Sequence, residues 1–200
     1  MATVSSYQAD AFVGISHLWF ILEGFGDNFS VTSKTIHEIP VAQDGGFTYS
    51  GGEPSIDHYK IHGMNGDWTS RMTPGETEIN LFIPVVNTEV LAACGFTTTA
   101  VSSGAPTIAD ANAGDYKFTA TTGYTFAETQ KAFTVGIAAA NDEGNKLFAI
   151  KKVKLLASIL FDAADTAKPI GITLAGSSSA GSSADAMGIF EGSTAIVTGT

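Results

Sequence analysis

Residues 55–96 decide the fold, and they read SIDHYKIHGMNGDWTSRMTPGETEINLFIPVVNTEVLAACGF. In two parts of this stretch, Ser55–His62 and Glu78–Pro84, two sets of side chains alternate from one residue to the next, so that a strand would place one set on each face. Alternation with a period of two is typical of a half-buried strand. Between the two runs, Thr73–Glu76 places Pro and Gly where a turn favours them. The stretch therefore predicts two strands with a turn between them.

A short helix is predicted to follow the second strand. Asn87 is a residue type that caps helix N-termini, and Gly95 suits the left-handed position that ends a helix. Val86 and Leu91 have the spacing of a hydrophobic staple across that cap. We therefore expect one helix over residues 88–94.

The composition favours an all-β protein. The chain of 200 residues has 22 Gly and 13 Phe, and only 15% of its residues are charged. Many short strands with glycine-rich turns give this composition, whereas a helical bundle needs more Glu, Lys, Leu and Arg. We expect a single domain, residues 1–200, of two packed antiparallel sheets, sandwich-like or barrel-like, with one short flanking helix.

Further strands are expected on both sides of the opening stretch. Residues 147–161 allow a helix or a strand, and we favour a strand because the lysines interrupt a helical apolar stripe. Residues 12–25 are aromatic and form either a strand or an interface segment, and residues 116–121 are expected to pair with 132–138. The other predicted strands cover residues 29–39, 47–49, 169–174 and 195–198.

Three segments are made of small and polar residues. They are an N-terminal arm (1–11), a long loop (97–114) and a Ser-rich segment (175–186). Long loops inside compact domains are usually functional or mobile. We expect the arm and the long loop to become ordered when subunits assemble, since small residues bury too little surface alone.

The charge balance is acidic, with 20 Asp and Glu against 10 Lys and Arg and a formal net charge of −10. Such a surface repels nucleic-acid phosphates, which argues against a DNA-binding protein. Basic residues nevertheless cluster late in the chain, at Lys151, Lys152 and Lys154. A solvated strand face, or a contact with an acidic neighbouring subunit, explains this cluster better than nucleic-acid binding does.

The sequence predicts no catalytic, metal or cofactor site. His58 and His62 are four residues apart, which on a strand is about 13 Å and too far for one ion. Nucleophile-elbow, P-loop and dinucleotide-binding patterns are absent from the sequence. The single cysteine, Cys94, is expected to be a small buried hydrophobe. No apolar run approaches the ~20 residues of a membrane span, so we expect a chain made in the cytoplasm.

The order of these features resembles one known family. The chain has an early strand ending in IHEIPVAQDGG (36–46), the turn PGETEI (74–79) into an apolar strand, the short helix, the long small-residue loop and KPIGITLAGSSS (168–179). This order is similar to that of the major tail tube proteins of tailed bacteriophages. The resemblance implies two sheets with a helix alongside, and hexameric rings that stack into a tube. It also implies a place in the virion tail, assembly in the host cytoplasm and contact with other tail proteins.

A tube that carries DNA needs a wall to which phosphate does not adhere. Favourable contacts of ~1 kcal/mol, summed over many phosphates, would trap DNA in a basic lumen. We therefore expect DNA to pass without specific binding, along strands that carry acidic residues. The candidate lumen-facing residues are Asp57, Glu76 and Glu78.

Other functions remain open at this point. One is a capsid decoration protein or another virion shell protein, which would bind a lattice without stacking on itself. A second is a carbohydrate-binding or adhesive β-sandwich that uses aromatic platforms, for which the candidates are Trp19, Trp68, Tyr49 and Tyr59. The third is a small β-fold enzyme, and the absence of a recognisable nucleophile–base pair in the sequence argues against it.

Overall fold

The computed structural model describes residues 14–40, 46–51, 53–63, 65–102, 107–109, 117–120, 122–161, 170–178 and 186–192. Within these ranges the chain forms strands, one short helix and one 3₁₀ turn, Asp27–Phe29. The helix, α1, is Thr88–Ala93. The strands are β1 His17–Leu22, β2 Ile36–Glu38, β3 Phe47–Gly51, β4 Ser55–Tyr59, β5 Thr69–Thr73, β6 Thr77–Ile83, β7 Thr98–Val101, β8 Thr107–Ala109, β9 Lys117–Thr119, β10 Gly123–Phe126, β11 Gln130–Ala140, β12 Lys146–Leu160, β13 Gly171–Ser178 and β14 Met187–Glu191. The predicted all-β fold is confirmed.

Eight strands form one antiparallel sheet, and the other six pair as three two-stranded ribbons. The sheet runs β2-β1-β11-β12-β13-β6-β3. On the β13 side, β12 pairs with β14 through Lys146–Ile150 and with β13 through Val153–Leu160. The ring of Tyr49 on β3 lies 5.8 Å from the ring of Phe148 on β12. Since β6 and β13 separate these two strands, the sheet curls over its core face.

The core lies on the inside of this curl, and β6 shows how the sequence specifies it. Ile79, Leu81 and Ile83 are buried, while Glu78 before them and Asn80 between them are exposed. Each such apolar side chain stabilises the fold by roughly 1.5–3 kcal/mol when it leaves water. The alternation predicted for this strand is therefore confirmed.

Helix α1 covers part of the core, and its ends follow the sequence signals. The side chain of Asn87 accepts a hydrogen bond from the backbone nitrogen of Val90 at 2.8 Å. Gly95 has a φ of +80°, which is the left-handed conformation expected after a helix. Leu91 is fully buried, and Val86 packs against the same core. The predicted cap and terminal glycine are confirmed, and the helix ends one residue earlier than predicted.

The β7–β10 ribbon continues the layer that faces the sheet. The rings of Phe96 and Phe126 are 6.4 Å apart in an edge contact. Tyr124 on β10 donates a hydrogen bond from its hydroxyl to the backbone oxygen of Val86 at 3.1 Å. Together, α1 and this ribbon cover the sheet's core face, which gives the sandwich-like arrangement.

The β11–β12 hairpin is the centre of the sheet, and the predicted strand at 147–161 is confirmed as β12. Six successive residues of β11, Val135–Ala140, are buried. Between Val135 and Ile137 the register with β12 shifts, which marks a β-bulge. At Gly136, an added Cβ would lie 2.6 Å from Cδ2 of Phe25. A glycine fits at position 136 because the ring of Phe25 covers the face of the sheet opposite the core.

A polar turn closes this hairpin. Asn141 is only 3% exposed. Its side-chain oxygen accepts hydrogen bonds from the backbone nitrogens of Asn145 (3.1 Å) and Lys146 (2.9 Å). Gly144 has a φ of +68°, and its nitrogen donates to the backbone oxygen of Asn141 at 2.9 Å. Residues 141–144 therefore form a tight hairpin turn whose polar groups are satisfied within it.

Two predicted loops contain strands. The long loop at 97–114 includes β7 and β8, and the Ser-rich segment at 175–186 begins inside β13, which continues to Ser178. Small residues form strands when a neighbouring strand supplies backbone hydrogen bonds, and composition alone does not show that neighbour. The predicted arm (1–11) and the last predicted strand (195–198) lie outside the described residues.

Two predicted strand assignments are also wrong. Within the predicted strand at 116–121, the described residues Lys117–Thr119 do not pair with 132–138, because β9 pairs with β8 while β11 lies between β1 and β12. The strand predicted at 29–39 is reduced to β2. Phe29 and Ser33 have φ values of +58° and +61°, which interrupt an extended chain.

Candidate functional site

The β4–β5 ribbon exposes a row of large apolar side chains. Every strand residue of β4 and β5 is exposed to solvent. Ile56 lies directly opposite Met72, with exposed fractions of 47% and 65%. Trp68, just before β5, is 62% exposed, and Tyr59 is 49% exposed. Because a two-stranded ribbon with no hydrophobic cover is marginally stable in water, this surface is suited to packing against another molecule.

The sequence predicted only one of the two strands of this ribbon. The strand predicted at 55–62 ends at Tyr59, and it is exposed on both faces rather than half-buried. Its partner is β5, which was not predicted because TSRMT (69–73) has no apolar alternation. Alternation shows that two faces differ, but it does not show that a second layer exists to cover one of them.

Polar contacts shape the far end of the ribbon. The Nδ1 atom of His58 lies 2.5 Å from Oδ2 of Asp67. The backbone nitrogen of Trp68 donates to the backbone oxygen of Tyr59 at 2.8 Å. His62 lies beyond the end of β4, in the connection between the two strands. Among the described residues, no cluster of three or more His, Cys, Asp or Glu is arranged to hold a metal ion.

The three acidic residues predicted to face a lumen are all exposed. Asp57 lies on the ribbon, directly opposite Arg71. Glu76 lies in the connection between β5 and β6, and Glu78 lies on the outward face of β6 opposite Ser50. The structure therefore places them along one continuous part of the chain, and their orientation toward DNA stays a prediction.

The predicted basic residues lie on β12 and differ in exposure. Lys152 and Lys154 are exposed, whereas Lys151 is partly buried. The backbone of Lys151 is engaged on both sides: its nitrogen donates to the oxygen of Ala186 at 2.8 Å, and its oxygen accepts from the nitrogen of Phe25 at 3.0 Å. Lys152 and Lys154 are therefore the two members of the cluster whose side chains solvent reaches.

One predicted lysine and one predicted acid share a face of the sheet. Lys154 lies opposite Ser177 of β13. Glu78 lies on the outward face of β6, the next strand after β13. Neighbouring strands are about 4.8 Å apart, which puts the two residues' backbones about 10 Å apart. This outward face therefore presents both charges with small residues between them.

A second apolar surface, which we call the outer groove, lies on the sheet face opposite the core. Its volume is about 450 Å³, and Trp19, Ile21, Ala138 and Phe190 are among the residues that line it. The sequence predicted an aromatic segment here but not the groove, because strand pairing between β1, β11 and β12 was not predicted.

The loop between β1 and β2 forms one wall of the outer groove. The ring of Phe29 contacts the rings of Phe25 and Phe190, with centroid distances of 5.4 and 5.1 Å. Four non-glycine residues of this loop have left-handed φ values, and they are Glu23, Asn28, Phe29 and Ser33. Such a conformation costs of order 1 kcal/mol per residue, so the aromatic contacts hold the loop in place.

Cys94 lies in the core and is not part of these surfaces. Its side chain is fully buried, as predicted. Burial raises the pKa of the Cys94 thiol to about 12, because the charged thiolate loses its hydration. No helix in the described part of the chain is long and apolar enough to cross a membrane.

The chain matches no known family model, and no curated protein is significantly similar to it in sequence.

Proposed function

We propose that this chain is a virion structural subunit that assembles with copies of itself into rings, stacked as a phage tail tube that conducts DNA. The observation that carries the proposal is the β4–β5 ribbon. It extends the chain away from the core and presents Ile56, Trp68 and Met72 to solvent. A neighbouring subunit is the partner that would be present at every ribbon in an assembly of identical chains.

The energetics favour assembly through this ribbon. Fully burying one large apolar side chain contributes roughly 1.5–3 kcal/mol, and several such side chains lie on the ribbon. A ribbon that docks on a different surface of the next copy makes a head-to-tail contact. Contacts of this type close into rings or continue as filaments, depending on the rotation between copies.

The charge distribution supports a conduit for DNA. The formal net charge of −10 makes the chain repel phosphate overall. With Asp57, Glu76 and Glu78 toward the lumen, DNA would slide along the wall without adhering. Lys152 would then face an acidic patch on a neighbouring subunit, which fixes the register between copies, whereas Lys154 shares the outward face of Glu78.

Replacing the exposed apolar side chains of the ribbon tests this proposal. We expect the double variant Trp68→Ser, Met72→Ser to stay folded but to lose rings and tubes in negative-stain electron microscopy and analytical ultracentrifugation. Phe161→Ser is the matched control, since Phe161 is 63% exposed, close to the 62% of Trp68. Tubes formed by the double variant as readily as by the unmodified chain would overturn the proposal.

The same ribbon supports one alternative, an adhesive β-sandwich that binds carbohydrate. Trp68 and Tyr59 are exposed aromatic side chains, which glycan-binding proteins use as stacking platforms. A monodisperse monomer that binds a glycan array, and loses that binding in Trp68→Ser, would favour this alternative. A purified monomer that coats capsids without stacking on itself would favour a decoration protein.

A further inference from the structure

The outer groove and the β4–β5 ribbon are two uncovered apolar surfaces of opposite shape. The ribbon is a two-stranded projection with Trp68 at its end, whereas the groove is a depression of about 450 Å³ in the sheet face opposite the core. None of the residues that line the groove belongs to the ribbon. A chain with one projecting and one receiving surface can bind copies of itself head to tail.

The interior of the groove suits an uncharged aromatic group. Trp19, Phe25 and Phe190 line it with aromatic rings, and its volume lies within the range of roughly 300–1,000 Å³ that is typical of binding sites. The two charged residues of the lining, Lys146 and Glu191, lie opposite each other on β12 and β14, so their charges balance. An indole ring such as that of Trp68 fits this chemistry.

The polar residue at the edge of the groove already has hydrogen-bond partners within the chain. The side chain of Asn145 donates to Oε2 of Glu143 at 2.9 Å and accepts from Nδ2 of Asn141 at 2.8 Å. Its backbone oxygen accepts from the nitrogen of Gly192 at 2.8 Å. An apolar side chain can therefore enter the groove without leaving this residue unpaired.

Charges of opposite sign lie beside the two surfaces. Lys152 lies against Gly24, the residue before Phe25 in the groove wall, because a Cβ on Gly24 would be 3.4 Å from Cγ of Lys152. Among the described residues, no carboxylate forms an ion pair with Lys152. On the ribbon, Asp67 directly precedes Trp68 and is exposed. The groove therefore has a cation beside it, and the tip of the ribbon has an anion.

The two faces of the ribbon differ in what they present. Ile56 and His58 share one face of β4, and Asp67 lies on that side because its carboxylate contacts His58. Met72, opposite Ile56, belongs to the same face. Asp57 lies on the other face of β4. A partner that covers the apolar face thus meets Asp67 and leaves Asp57 uncovered.

We infer that Trp68 of one copy inserts into the outer groove of the next copy, with Asp67 beside Lys152 and with Ile56 and Met72 against the rim. The inference rests on the proposed function and identifies the surface that receives the ribbon. It also leaves Asp57 on the uncovered face, where the proposed lumen needs it.

The size of this contact explains why it would act in rings. From the area that large side chains bury, Trp68, Ile56 and Met72 would together remove on the order of 400 Å² of ribbon surface from water, and about 800 Å² with the share of the groove. Stable pairs bury about 1,200–2,000 Å². One contact therefore holds two copies weakly, and a closed ring gains because every subunit gives one ribbon and receives another.

Filling the groove tests the inference. We expect Ala138→Phe to stay folded in thermal melts, because the new ring enters open space, but to lose rings and tubes in negative-stain electron microscopy. Ala175→Phe is the matched control: Ala175 is exposed on the same sheet face, on β13, but does not line the groove. This control should assemble like the unmodified chain. Tubes from Ala138→Phe, or an equal loss in both variants, would overturn the inference.

Reversing the charges gives a test that leaves the groove and the core unchanged. Asp67→Lys or Lys152→Asp alone should raise the concentration needed for assembly by about 10-fold, and the two changes in one chain should restore it. Sedimentation over a series of protein concentrations measures this value. Two single variants that weaken assembly without rescue in the double variant would contradict the placement of Asp67 beside Lys152.

Mixing two variants measures the contact itself. Ala138→Phe keeps the ribbon, and Trp68→Ser, Met72→Ser keeps the groove, so neither should associate alone. Together they should form a one-to-one heterodimer and nothing larger in native mass spectrometry and analytical ultracentrifugation. A mixture without heterodimer would overturn the inference even if the unmodified chain forms tubes. A heterodimer from a chain that forms no tubes would support the contact and contradict the proposed function.

Discussion

Two antiparallel hairpins in this chain carry the same kind of cross-strand apolar pair. The pair is buried in one hairpin and exposed to solvent in the other. In β11–β12, Ile137 lies opposite Ile150, and both side chains are fully buried. In β4–β5, Ile56 lies opposite Met72, and about half of each side chain is exposed. The difference does not lie within the hairpins. It arises because Ile137 and Ile150 belong to the core cluster, which also contains Leu91 of α1. Nothing among the described residues covers β4–β5 in this way.

The comparison distinguishes apolar pairs that stabilise the folded chain from apolar pairs that are exposed for contact with another molecule. Burying an apolar pair stabilises the fold only when another layer removes it from water. The β11–β12 pair should therefore contribute to the stability of the folded chain, and the β4–β5 pair should contribute mainly to the contacts between copies that we propose.

The largest expected effect comes from truncating one member of each pair. Ile137→Ala should lower the free energy of unfolding by about 2–5 kcal/mol, because it removes buried methyl groups and leaves a cavity. Ile56→Ala, the matched change on the ribbon, should alter it by less than about 0.5 kcal/mol. Urea unfolding of the two variants measures both values. Similar losses in the two variants would mean that the ribbon is covered within the subunit.

The turns of the two hairpins give a second contrast. Asn141→Ala should cost about 1–3 kcal/mol, because the backbone nitrogens of Asn145 and Lys146 lose a buried acceptor. Asp67→Ala removes the contact with His58 at the exposed ribbon, which is worth about 0–1 kcal/mol. Thermal melts of both variants compare the two turns, and an equal loss would contradict the burial of Asn141.

The smallest expected effect is a dependence of the free energy of unfolding on pH. It comes from Cys94 in the buried core, and the exposed ribbon has no counterpart to it. The pKa of Cys94 is raised to about 12 in the folded chain, from 9.0 without burial. Below pH 9 the thiol is protonated in both states. As pH rises from 9 towards 12 only the unfolded chain ionises, so stability falls by on the order of 1 kcal/mol per pH unit.

The control for this pH dependence is Cys94→Ala, compared by urea unfolding at pH 8, 9 and 10. The variant is less stable at every pH, because its side chain is smaller. Its stability should fall less steeply above pH 9 than that of the unmodified chain. Parallel curves would contradict a buried thiol that resists ionisation.

The sequence predicted the parts of the fold that local signals specify. The alternation of β6, the cap at Asn87, the glycine at 95 and the extended character of 147–161 all depend on neighbouring residues. Each was confirmed because the local preference and the tertiary structure agree.

The sequence did not predict what depends on distant partners. β5 has no alternation to mark it, and the strands within 97–114 needed pairing partners that composition does not reveal. The β-bulge between Val135 and Ile137 and the outer groove also arise from pairing between strands far apart in the chain. Among the candidate site residues, the exposure of Asp57, Glu78 and Lys154 agrees with their chemistry, while the shared face of Glu78 and Lys154 required the strand order.

The pairing of β1 with β11 has a consequence for how the chain reaches its fold. His17 lies opposite Ala140, 123 positions later in the sequence. At 5–20 residues per second, a ribosome needs roughly 6–25 s to make that partner after β1 has been synthesised. The β11–β12 hairpin closes locally and quickly, but β1 must wait, with Trp19, Phe20 and Ile21 in water. β1 is therefore the first of the described strands to be made, and its pairing with β11 waits longer than any other pairing in the described sheet. A chaperone that protects this chain would act on the aromatic strand.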